Sequence, residues 1–156
     1  VVDVGGTNLA RSSTARGFTE TAWSGGGSGC SAYITKPIWQ HDTGCTKRMG
    51  SDVSAVADPN TGVAVYDSYG STGGANWLVF GGTSVAAPLV GGMYAVAGVT
   101  TTYPAATLYT AGASLYDVVS GSNGRCKRSP AYFCNAGTGY DGPTGNGTPN
   151  GITALH

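Results

Sequence analysis

The chain contains 156 residues, which is enough for one domain with a hydrophobic core of its own. Eight Lys and Arg residues balance eight Asp and Glu residues, and this zero net charge gives no reason to expect binding to nucleic acid or to an anionic membrane surface. No apolar run approaches the length needed to span a bilayer. Glycine is abundant, with 27 residues against a usual share of about 7%. This composition is typical of a loop-rich extracellular protein rather than of a helical bundle.

The first forty or so residues contain one predicted strand and a run of glycines. Val1–Val4 is a short apolar strand, and Gly5-Gly6-Thr7 predicts that this strand ends in a glycine turn. Residues 25–29 are four glycines and one serine, a composition that would suit a flexible linker. Because Trp23 and Tyr33 flank this run, we expect an ordered loop instead.

Four cysteines form two local pairs along the chain, and four cysteines allow three pairings. Since each local pair brackets one loop, we expect two disulfides, joining Cys30 to Cys45 and Cys126 to Cys134. A zinc site is the alternative, but there is no Cys-x-x-Cys spacing, and His41 and His156 are the only histidines. Two disulfides predict an oxidising compartment. The sequence begins without a methionine, so we expect either a processed chain or part of a longer one.

The middle of the chain predicts three short strands. Asp52–Val56 is the first, and residues 58–62 after it carry a strong turn signal, Asp-Pro-Asn-Thr-Gly. Val63–Tyr66 and Trp77–Phe80 are apolar, and the glycine-rich segment between them predicts a hairpin.

A serine follows two glycines and a threonine immediately before an apolar, alanine-rich run. Val85–Gly98 predicts a buried helix, with Pro88 in its first turn, so Ser84 would lie on a tight strand-to-helix turn. Backbone N–H groups and the helix dipole favour negative charge there, which would help a serine nucleophile and an oxyanion beside it. Serine is also a favoured helix N-cap, and on spacing alone the cap is the commoner role.

The carboxyl-terminal part predicts one short helix, from Pro104 to about Tyr109, followed by residues that are mostly loop. Tyr116–Val119 is an extended or helical segment within them. Two carbonyls and a carboxylate alternate along Gly137-x-Gly139-x-Asp141, and Asp117 with the Val118 carbonyl can complete a ring of oxygens. Calcium prefers several such ligands in a flexible geometry. An ordinary cluster of Asp and Gly turns would have the same pattern.

Several motifs, in order along nearly the whole chain, resemble the sedolisin family of serine-carboxyl peptidases, a branch of the subtilisin clan. The residues that carry this resemblance are Val4–Thr7; Glu20, Trp23, the glycine run, Ser31, Pro37, Trp39 and Gln40; Asp52–Ala55 and Ala57–Gly62; Gly82, Thr83, Ser84, Ala86 and Pro88; and Asp117, Val118, Ala136–Asp141 and Thr144–Gly147. The segment from Asp52 to Gly62 does not occur in this form in true subtilisins.

The resemblance implies an α/β, subtilisin-like fold with a mostly parallel central sheet flanked by helices. Residues 1–156 would be the carboxyl-terminal part of a peptidase catalytic domain. The family's serine nucleophile corresponds to Ser84. One structural calcium ion, Ca2+, would be bound by Asp117, Val118, Gly137, Gly139 and Asp141. The whole enzyme would be a secreted, acid-active endopeptidase that cleaves proteins or peptides through an acyl-enzyme. We expect it to be a monomer, with no nucleic-acid or membrane partner.

The chain departs from the family pattern in two respects. Gly81 stands where the family usually has a serine. The family's serine works with a glutamate and an aspartate, and a further aspartate helps to form the oxyanion hole. All three acids lie upstream of the Val-Gly-Gly-Thr strand, so their positions are not in this chain. Glu20 matches a loop position of the family rather than the catalytic one, and neither His41 nor His156 has a convincing role as base. We therefore predict that the isolated 156 residues do not cleave peptides.

Two other functions fit parts of the sequence. Abundant Gly, Tyr and Trp with two disulfides and calcium would suit a secreted carbohydrate-binding module, which predicts an antiparallel sandwich. An inactive member of the family is the other possibility. The upstream catalytic residues would distinguish an active member from an inactive one.

Overall fold

The structure is a computed structural model, and it describes residues 1–69, 76–124 and 130–156. Its two α-helices are α1 (Thr83–Ala97) and α2 (Pro104–Leu108). Its strands are β1 (Val4–Arg11), β2 (Phe18–Ala22), β3 (Gly29–Thr35), β4 (Lys47–Gly50), β5 (Val53–Val56), β6 (Val63–Asp67), β7 (Asn76–Phe80), β8 (Leu115–Tyr116) and β9 (Thr148–Pro149). Short 3-10 turns at Pro59–Thr61, Gly112–Ser114, Ala131–Phe133 and Thr153–Leu155 complete the described elements.

The main sheet has the strand order β2-β1-β5. β1 pairs with β5 in parallel, with Val4 opposite Val53, and with β2 in antiparallel orientation. The parallel pairing agrees with an α/β fold and not with the antiparallel sandwich of a binding module. Among the described residues, however, only this strand pair and an isolated bridge between Ala22 and Gly121 are parallel. A mostly parallel sheet therefore remains a prediction.

The prediction that the first strand ends in a glycine turn is wrong, because β1 begins at Val4 and continues through Gly5-Gly6-Thr7 to Arg11. The glycines serve close packing instead. A Cβ on Gly6 would lie 2.6 Å from the Cβ of Ala57 and 3.1 Å from the Trp23 ring. This contact brings the middle of β1 against the residue that follows β5.

The remaining strands form three two-stranded sheets, β3-β4, β6-β7 and β8-β9. The predicted hairpin is confirmed in its strands: β6 and β7 are antiparallel, and Val63 lies opposite Phe80. Part of the connection between them, residues 70–75, lies outside the described residues. The sequence did not predict β2, β3 or β4, because six of the seven residues of β3 and three of the five of β2 are exposed and show no regular apolar alternation.

The core lies between α1 and the main sheet. α1 contacts β5 and β1, and its buried residues are Ala86 and Val90. Val53 of β5 is fully buried in the same cluster, as are Leu108 of α2 and Leu155 near the chain end. The predicted strand at 52–56 and both predicted helices are therefore confirmed, with small shifts in their bounds. No helix within the described parts of the chain has the length and apolar character needed to cross a membrane.

The two predicted disulfides have different outcomes. Cys30 and Cys45 are bonded, with their Cα atoms 5.4 Å apart, so this pair is confirmed. Cys45 packs with Met49 and Phe133 in a second, smaller core. Cys126 lies outside the described residues, so its predicted bond to Cys134 is not described.

Candidate active site and calcium loop

Ser84 lies in the first turn of α1, as the sequence predicted, but α1 begins two residues earlier than expected, at Thr83. Gly82 is the N-cap residue, and no side chain caps the helix. The alternative interpretation of Ser84 as a capping residue is therefore wrong. The Ser84 side chain is exposed, and its hydroxyl forms no hydrogen bond within the described residues. A free hydroxyl beside the first N–H groups of a helix is the arrangement that a serine nucleophile needs.

The turn before Ser84 is held by backbone geometry that only glycine adopts readily. Gly82 has φ 93° and ψ 161°, and its N–H donates to the Ala57 carbonyl oxygen at 2.5 Å. The departure from the family at Gly81 also has a structural reason. A Cβ at that position would lie 2.5 Å from the backbone nitrogen of Pro59 and 2.6 Å from the Ala57 oxygen. In this chain a serine does not fit there without a backbone shift.

Pro88 is not in the first turn of the helix, contrary to expectation, because the earlier start of α1 places it in the second turn. Proline has no N–H, so it cannot form the usual helical hydrogen bond to the carbonyl four residues earlier. That carbonyl belongs to Ser84. Ser84 therefore has a free hydroxyl, and its carbonyl oxygen also lacks the hydrogen bond that a helix normally supplies.

No acid or base is bonded to Ser84 in the part of the chain that the structure describes. His41 lines an open cavity of about 390 Å³ together with Asp42, Tyr109, Tyr132 and other residues, and Ser84 is not among them. His156 is an exposed residue at the chain end. Neither histidine forms a hydrogen bond with Ser84, and the expectation that neither acts as a base stays a prediction.

Glu20 is held by contacts that stabilise the fold. It lies in β2 rather than in the loop that the family resemblance suggested. Its buried carboxylate accepts hydrogen bonds from Thr7 Oγ1 at 2.8 Å and Thr148 Oγ1 at 2.6 Å, and it forms an ion pair with Arg16 at 2.6 Å. The Arg16 guanidinium in turn lies 3.8 Å from the centre of the Tyr116 ring. These bonds fasten β2 to β1, β8 and β9, and they leave Glu20 no role at Ser84.

Four of the five predicted calcium ligands are connected by hydrogen bonds at the loop of residues 137–141. Asp141 is fully buried, and its carboxylate accepts hydrogen bonds from the N–H groups of Gly137 at 2.9 Å and Thr144 at 2.8 Å. Asp117 reaches the same loop and accepts a hydrogen bond from the Gly139 N–H at 2.8 Å. Burial raises the pKa of Asp141 to about 6; the hydrogen bonds oppose this shift, and the charge of Asp117 adds to it. A cation between the two carboxylates would relieve their repulsion.

The backbone of this loop also offers oxygens. The carbonyls of Val118, Gly137 and Gly139 accept no hydrogen bond from any described residue. Among the described residues no three His, Cys, Asp or Glu side chains come together. A site built from two carboxylates and several backbone carbonyls would not contain three such side chains. The residues present therefore fit a hard cation such as calcium.

A buried polar network, which the sequence did not reveal, lies beside this loop. Gln40 donates to the hydroxyls of Tyr109 at 2.9 Å and Tyr140 at 3.1 Å, and the Tyr109 hydroxyl donates to Asp52 at 2.8 Å. Asp52 also accepts from the Asp3 N–H and pairs with Arg48. Burial raises the pKa of Asp52, and this effect is larger than the lowering caused by its hydrogen-bond and ion-pair partners. The pKa of Tyr109 is also raised, first by burial and then by the negative charge of Asp52.

Two curated relatives match nearly the whole chain. Sedolisin from Pseudomonas sp. (strain 101) is 36% identical over 168 residues, a match that covers 95% of this chain and 27% of sedolisin. Kumamolisin from Bacillus sp. (strain MN-32) is 33% identical over 175 residues, and this match covers 99% of the chain and 30% of kumamolisin. The chain thus spans less than a third of the length of either relative. No family model matches it.

A solved structure has the same fold. It is that of Pseudomonas sedolisin, a serine-carboxyl proteinase, complexed with two molecules of pseudo-iodotyrostatin. It matches with a TM-score of 0.76 at 33% sequence identity, over 96% of this chain and 43% of the sedolisin chain. The sheet and the helix that carries Ser84 therefore form part of a subtilisin-like fold.

Proposed function

Because this chain belongs to the sedolisin family, we propose that it is the Ser84-bearing part of a serine-carboxyl endopeptidase domain. The observation that carries the proposal is the exposed, unbonded Ser84 hydroxyl at the first turn of α1, behind the Gly82 turn. The substrates proposed are proteins or peptides, as is usual for peptidases. The proposal concerns the whole domain, of which this chain supplies the nucleophile.

In the proposed reaction the Ser84 oxygen attacks a peptide carbonyl and forms an acyl-enzyme, which water then hydrolyses. The positive end of the α1 dipole favours the negative charge that develops beside Ser84. A serine hydroxyl is a weak nucleophile and needs a base. Glu20 is bonded elsewhere and neither histidine forms a hydrogen bond with Ser84; membership of the sedolisin family implies that a carboxylate from outside these 156 residues takes that role.

A carboxylate base accepts a proton from serine only when its pKa is matched to the working pH, which favours activity in acid. The direction of the Asp52 pKa shift agrees with this part of the proposal. Burial raises the pKa of Asp52, and a carboxyl with a raised pKa favours the folded state more at acidic than at neutral pH.

The calcium ion is proposed as a structural one, bound by Asp117, Asp141 and the carbonyls of Val118, Gly137 and Gly139. When bound, the ion would supply charge neutralisation and fasten the loop, with no part in bond cleavage. Gly142, which follows this loop, accepts a hydrogen bond from Ser51 N, and Gly147 accepts one from Ser54 N. An ordered loop thus supports β5, whose end holds the Ser84 turn.

The remaining parts of the proposal concern the intact protein. Secretion is supported by the Cys30–Cys45 disulfide, which suits an oxidising compartment. A monomeric enzyme with a mostly parallel central sheet is proposed for the complete domain, with further strands contributed by residues beyond those present here.

The test is a chimaera in which this chain replaces the matched segment of Pseudomonas sedolisin. We expect the chimaera to cleave peptides in acid, and Ser84→Ala to abolish cleavage while leaving the fold intact. Ser120→Ala is the matched control, because Ser120 is also exposed and its hydroxyl forms no hydrogen bond within the described residues. A folded chimaera without cleavage would identify an inactive family member. Serine-dependent cleavage by the isolated 156 residues would refute the prediction that the base comes from outside them.

A further inference from the structure

Asparagine is followed by glycine at three positions of the chain, Asn123-Gly124, Asn146-Gly147 and Asn150-Gly151. Asparagine is one of the chemically labile residues of proteins. It is most labile before glycine, because glycine has no Cβ to hinder attack by its backbone nitrogen on the side-chain amide. The fold decides which of the three pairs reacts, since the two groups must be free to approach each other.

The pair at Asn146 is fixed on both sides. The Asn146 side-chain amide donates to the Asp52 carbonyl oxygen at 3.0 Å. The N–H of Gly147 donates to the Thr144 carbonyl oxygen at 3.1 Å. Gly147 is also buried, and a Cβ there would lie 2.1 Å from the Tyr116 carbonyl oxygen. Neither reacting group can move toward the other unless this part of the chain opens locally.

The pair at Asn123 is fixed as well, although it is less buried. The Asn123 side-chain amide donates to the Ser28 hydroxyl at 3.1 Å, and the Asn123 backbone N–H donates to the Cys134 carbonyl oxygen at 2.9 Å. The N–H of Gly124 donates to the Ser122 hydroxyl at 3.3 Å. Both reacting groups therefore have partners that must be released before the groups can meet.

The pair at Asn150 differs from the other two. Asn150 and Gly151 are exposed and lie between β9 and the 3-10 turn Thr153–Leu155. Within the described residues, neither the Asn150 side chain nor the N–H of Gly151 forms a hydrogen bond. Gly151 has φ 75°, and a Cβ there would meet nothing within 4 Å. The space around the glycine nitrogen is therefore open, and the neighbouring amide is free to turn toward it.

We infer that Asn150 is the site of a spontaneous covalent modification, its conversion to aspartate and isoaspartate through a cyclic imide. The Gly151 nitrogen loses its proton to hydroxide and attacks the side-chain carbonyl carbon of Asn150, and the side-chain nitrogen leaves as ammonia. Water then opens the imide. Attack of water on the side-chain carbonyl gives aspartate, and attack on the main-chain carbonyl gives isoaspartate, in which the main chain runs through the former side chain.

The modification acts on the core through the end of the chain. Isoaspartate adds a carbon atom to the main chain before Gly151, and both products carry a negative charge. Leu155 is fully buried in the cluster that contains Val90 of α1 and Leu108 of α2. Because such a core is closely packed, a longer main chain at Asn150 displaces the turn that carries Leu155. Isoaspartate therefore destabilises the fold more than aspartate does.

The test follows all three Asn-Gly pairs in one sample. The chain is incubated at mildly alkaline pH, folded or in urea without reductant, and is then digested with pepsin in acid, which stops the reaction. Fragmentation in the mass spectrometer assigns each conversion to its residue. Because the first step needs the glycine nitrogen without its proton, a parallel incubation in acid should leave Asn150 intact.

We expect Asn150 to convert at similar rates in the folded and the unfolded chain. Asn123 and Asn146 should convert at least about tenfold more slowly in the folded chain than in urea, because each must first open locally. Conversion of Asn150 as slow as that of Asn146 in the folded chain would overturn the inference. Equal rates at all three sites in the folded chain would overturn it too, since the fold would then select none of them.

Two variants at position 150 separate the effects of the reaction. Asn150→Gln keeps an amide but cyclises much more slowly, so it should abolish conversion at this site and leave the other two unchanged. Asn150→Asp carries the charge without the longer main chain. We expect wild type, once most of its Asn150 has converted, to unfold at a lower urea concentration than fresh Asn150→Asp, while Asn150→Gln incubated in parallel keeps its midpoint. Equal midpoints of the converted wild type and Asn150→Asp would overturn the displacement of the final turn.

The same measurements in the sedolisin chimaera cover an isolated chain that does not fold. Rapid conversion of Asn150 beside protected Asn123 and Asn146 in the chimaera would support the inference. Protection of all three sites there, or equal rates at the three sites in both proteins, would overturn it. Peptidase activity enters none of these measurements, so their outcome does not depend on the proposed function.

Discussion

The Gly82 N–H donates a hydrogen bond of 2.5 Å to the Ala57 carbonyl oxygen. Ala57 follows β5, and Gly82 precedes α1, so this bond fixes the start of the helix to the end of the buried strand. β5 is itself bonded to the tail of the chain, through Ser54 N and the Gly147 oxygen at 2.9 Å. The position of Ser84 therefore depends on a continuous series of backbone contacts from the carboxyl-terminal loop through β5.

The substitution Gly82→Ala should strain this turn. A Cβ at Gly82 would have ordinary contact distances, so the expected cost comes from the backbone, which has φ 93° and ψ 161°. A non-glycine residue in that region costs roughly 1–3 kcal/mol. We expect urea unfolding of the isolated chain to show a loss of this size. In the sedolisin chimaera, we expect peptide cleavage to fall further than stability does.

Gly92→Ala is the matched control for this prediction. Gly92 lies within α1, and a Cβ there would meet nothing within 4 Å. Alanine in a helix interior is more stable than glycine by roughly 0.5–1 kcal/mol, so this variant should gain stability. If both variants lost equal stability, the unusual backbone of Gly82 would not be the cause.

The sequence predicted the elements whose signals are local. The helix at Ser84, the β6–β7 pairing and the strand at β5 were all expected, because an apolar run or a turn signal marks each of them. Gly5 and Gly6 misled the prediction of β1, since glycine normally ends a strand. Here the glycines lie inside it, because neighbouring residues leave no space for a side chain.

The contacts that the sequence could not predict join distant residues. Glu20 bonds to Thr148 over a separation of 128 residues, and Gln40 bonds to Tyr140 over 100. No periodicity or spacing connects such pairs, because they depend on how separate elements pack. Asp117 and Asp141 were singled out from the alternation of Gly137, Gly139 and Asp141, and the family resemblance then favoured a metal site over ordinary turns.

The Cys30–Cys45 disulfide should make a large contribution to stability. The two cysteines are 15 residues apart, and a loop of that length predicts about 3 kcal/mol from the restriction of the unfolded chain. We expect the double variant Cys30→Ala, Cys45→Ala to lose roughly this amount in urea unfolding. Mass spectrometry after alkylation would report whether the remaining two cysteines are bonded or reduced in the variant. A loss below about 1 kcal/mol would mean that the unfolded chain is already compact without the disulfide.

Calcium should stabilise the chain through the loop at 137–141. At a free concentration about 100-fold above its Kd, a bound ion adds about 2.7 kcal/mol to the free energy of unfolding. We expect thermal unfolding to shift upward with calcium and to return with EDTA. Asp117→Asn should abolish most of this response with little change in the calcium-free protein, because Asp117 is exposed and accepts one described hydrogen bond.

Asp67→Asn is the control for the calcium measurement, since Asp67 lies at the end of β6 and bonds to Tyr69 N. It should leave the calcium response unchanged. An equal response in wild type and Asp117→Asn would exclude Asp117 as a ligand. No response in the wild type would favour the ordinary cluster of Asp and Gly turns over a metal site.

The contribution of Asp52 to the stability of the chain should fall as the pH rises from acid toward neutral. Burial raises the pKa of Asp52, so the folded chain holds this proton more tightly than the unfolded chain. The resulting contribution to stability is complete below the usual carboxyl pKa and is lost as the pH rises through the higher folded value. Urea unfolding measured between about pH 4 and about pH 7 gives the size of the change.

The comparison that isolates Asp52 is the difference in pH dependence between wild type and Asp52→Asn, because Asp141 has a raised pKa and contributes with the same sign. Asparagine does not ionise, so the variant should lose less stability than the wild type over this pH range, whatever its absolute stability. A steeper loss in the variant would mean that the pair with Arg48 and the hydrogen bond from Tyr109 outweigh burial. In that case the ionised form of Asp52 would stabilise the fold. The network of Asp52, Arg48 and Tyr109 would then give no support to the proposed activity in acid.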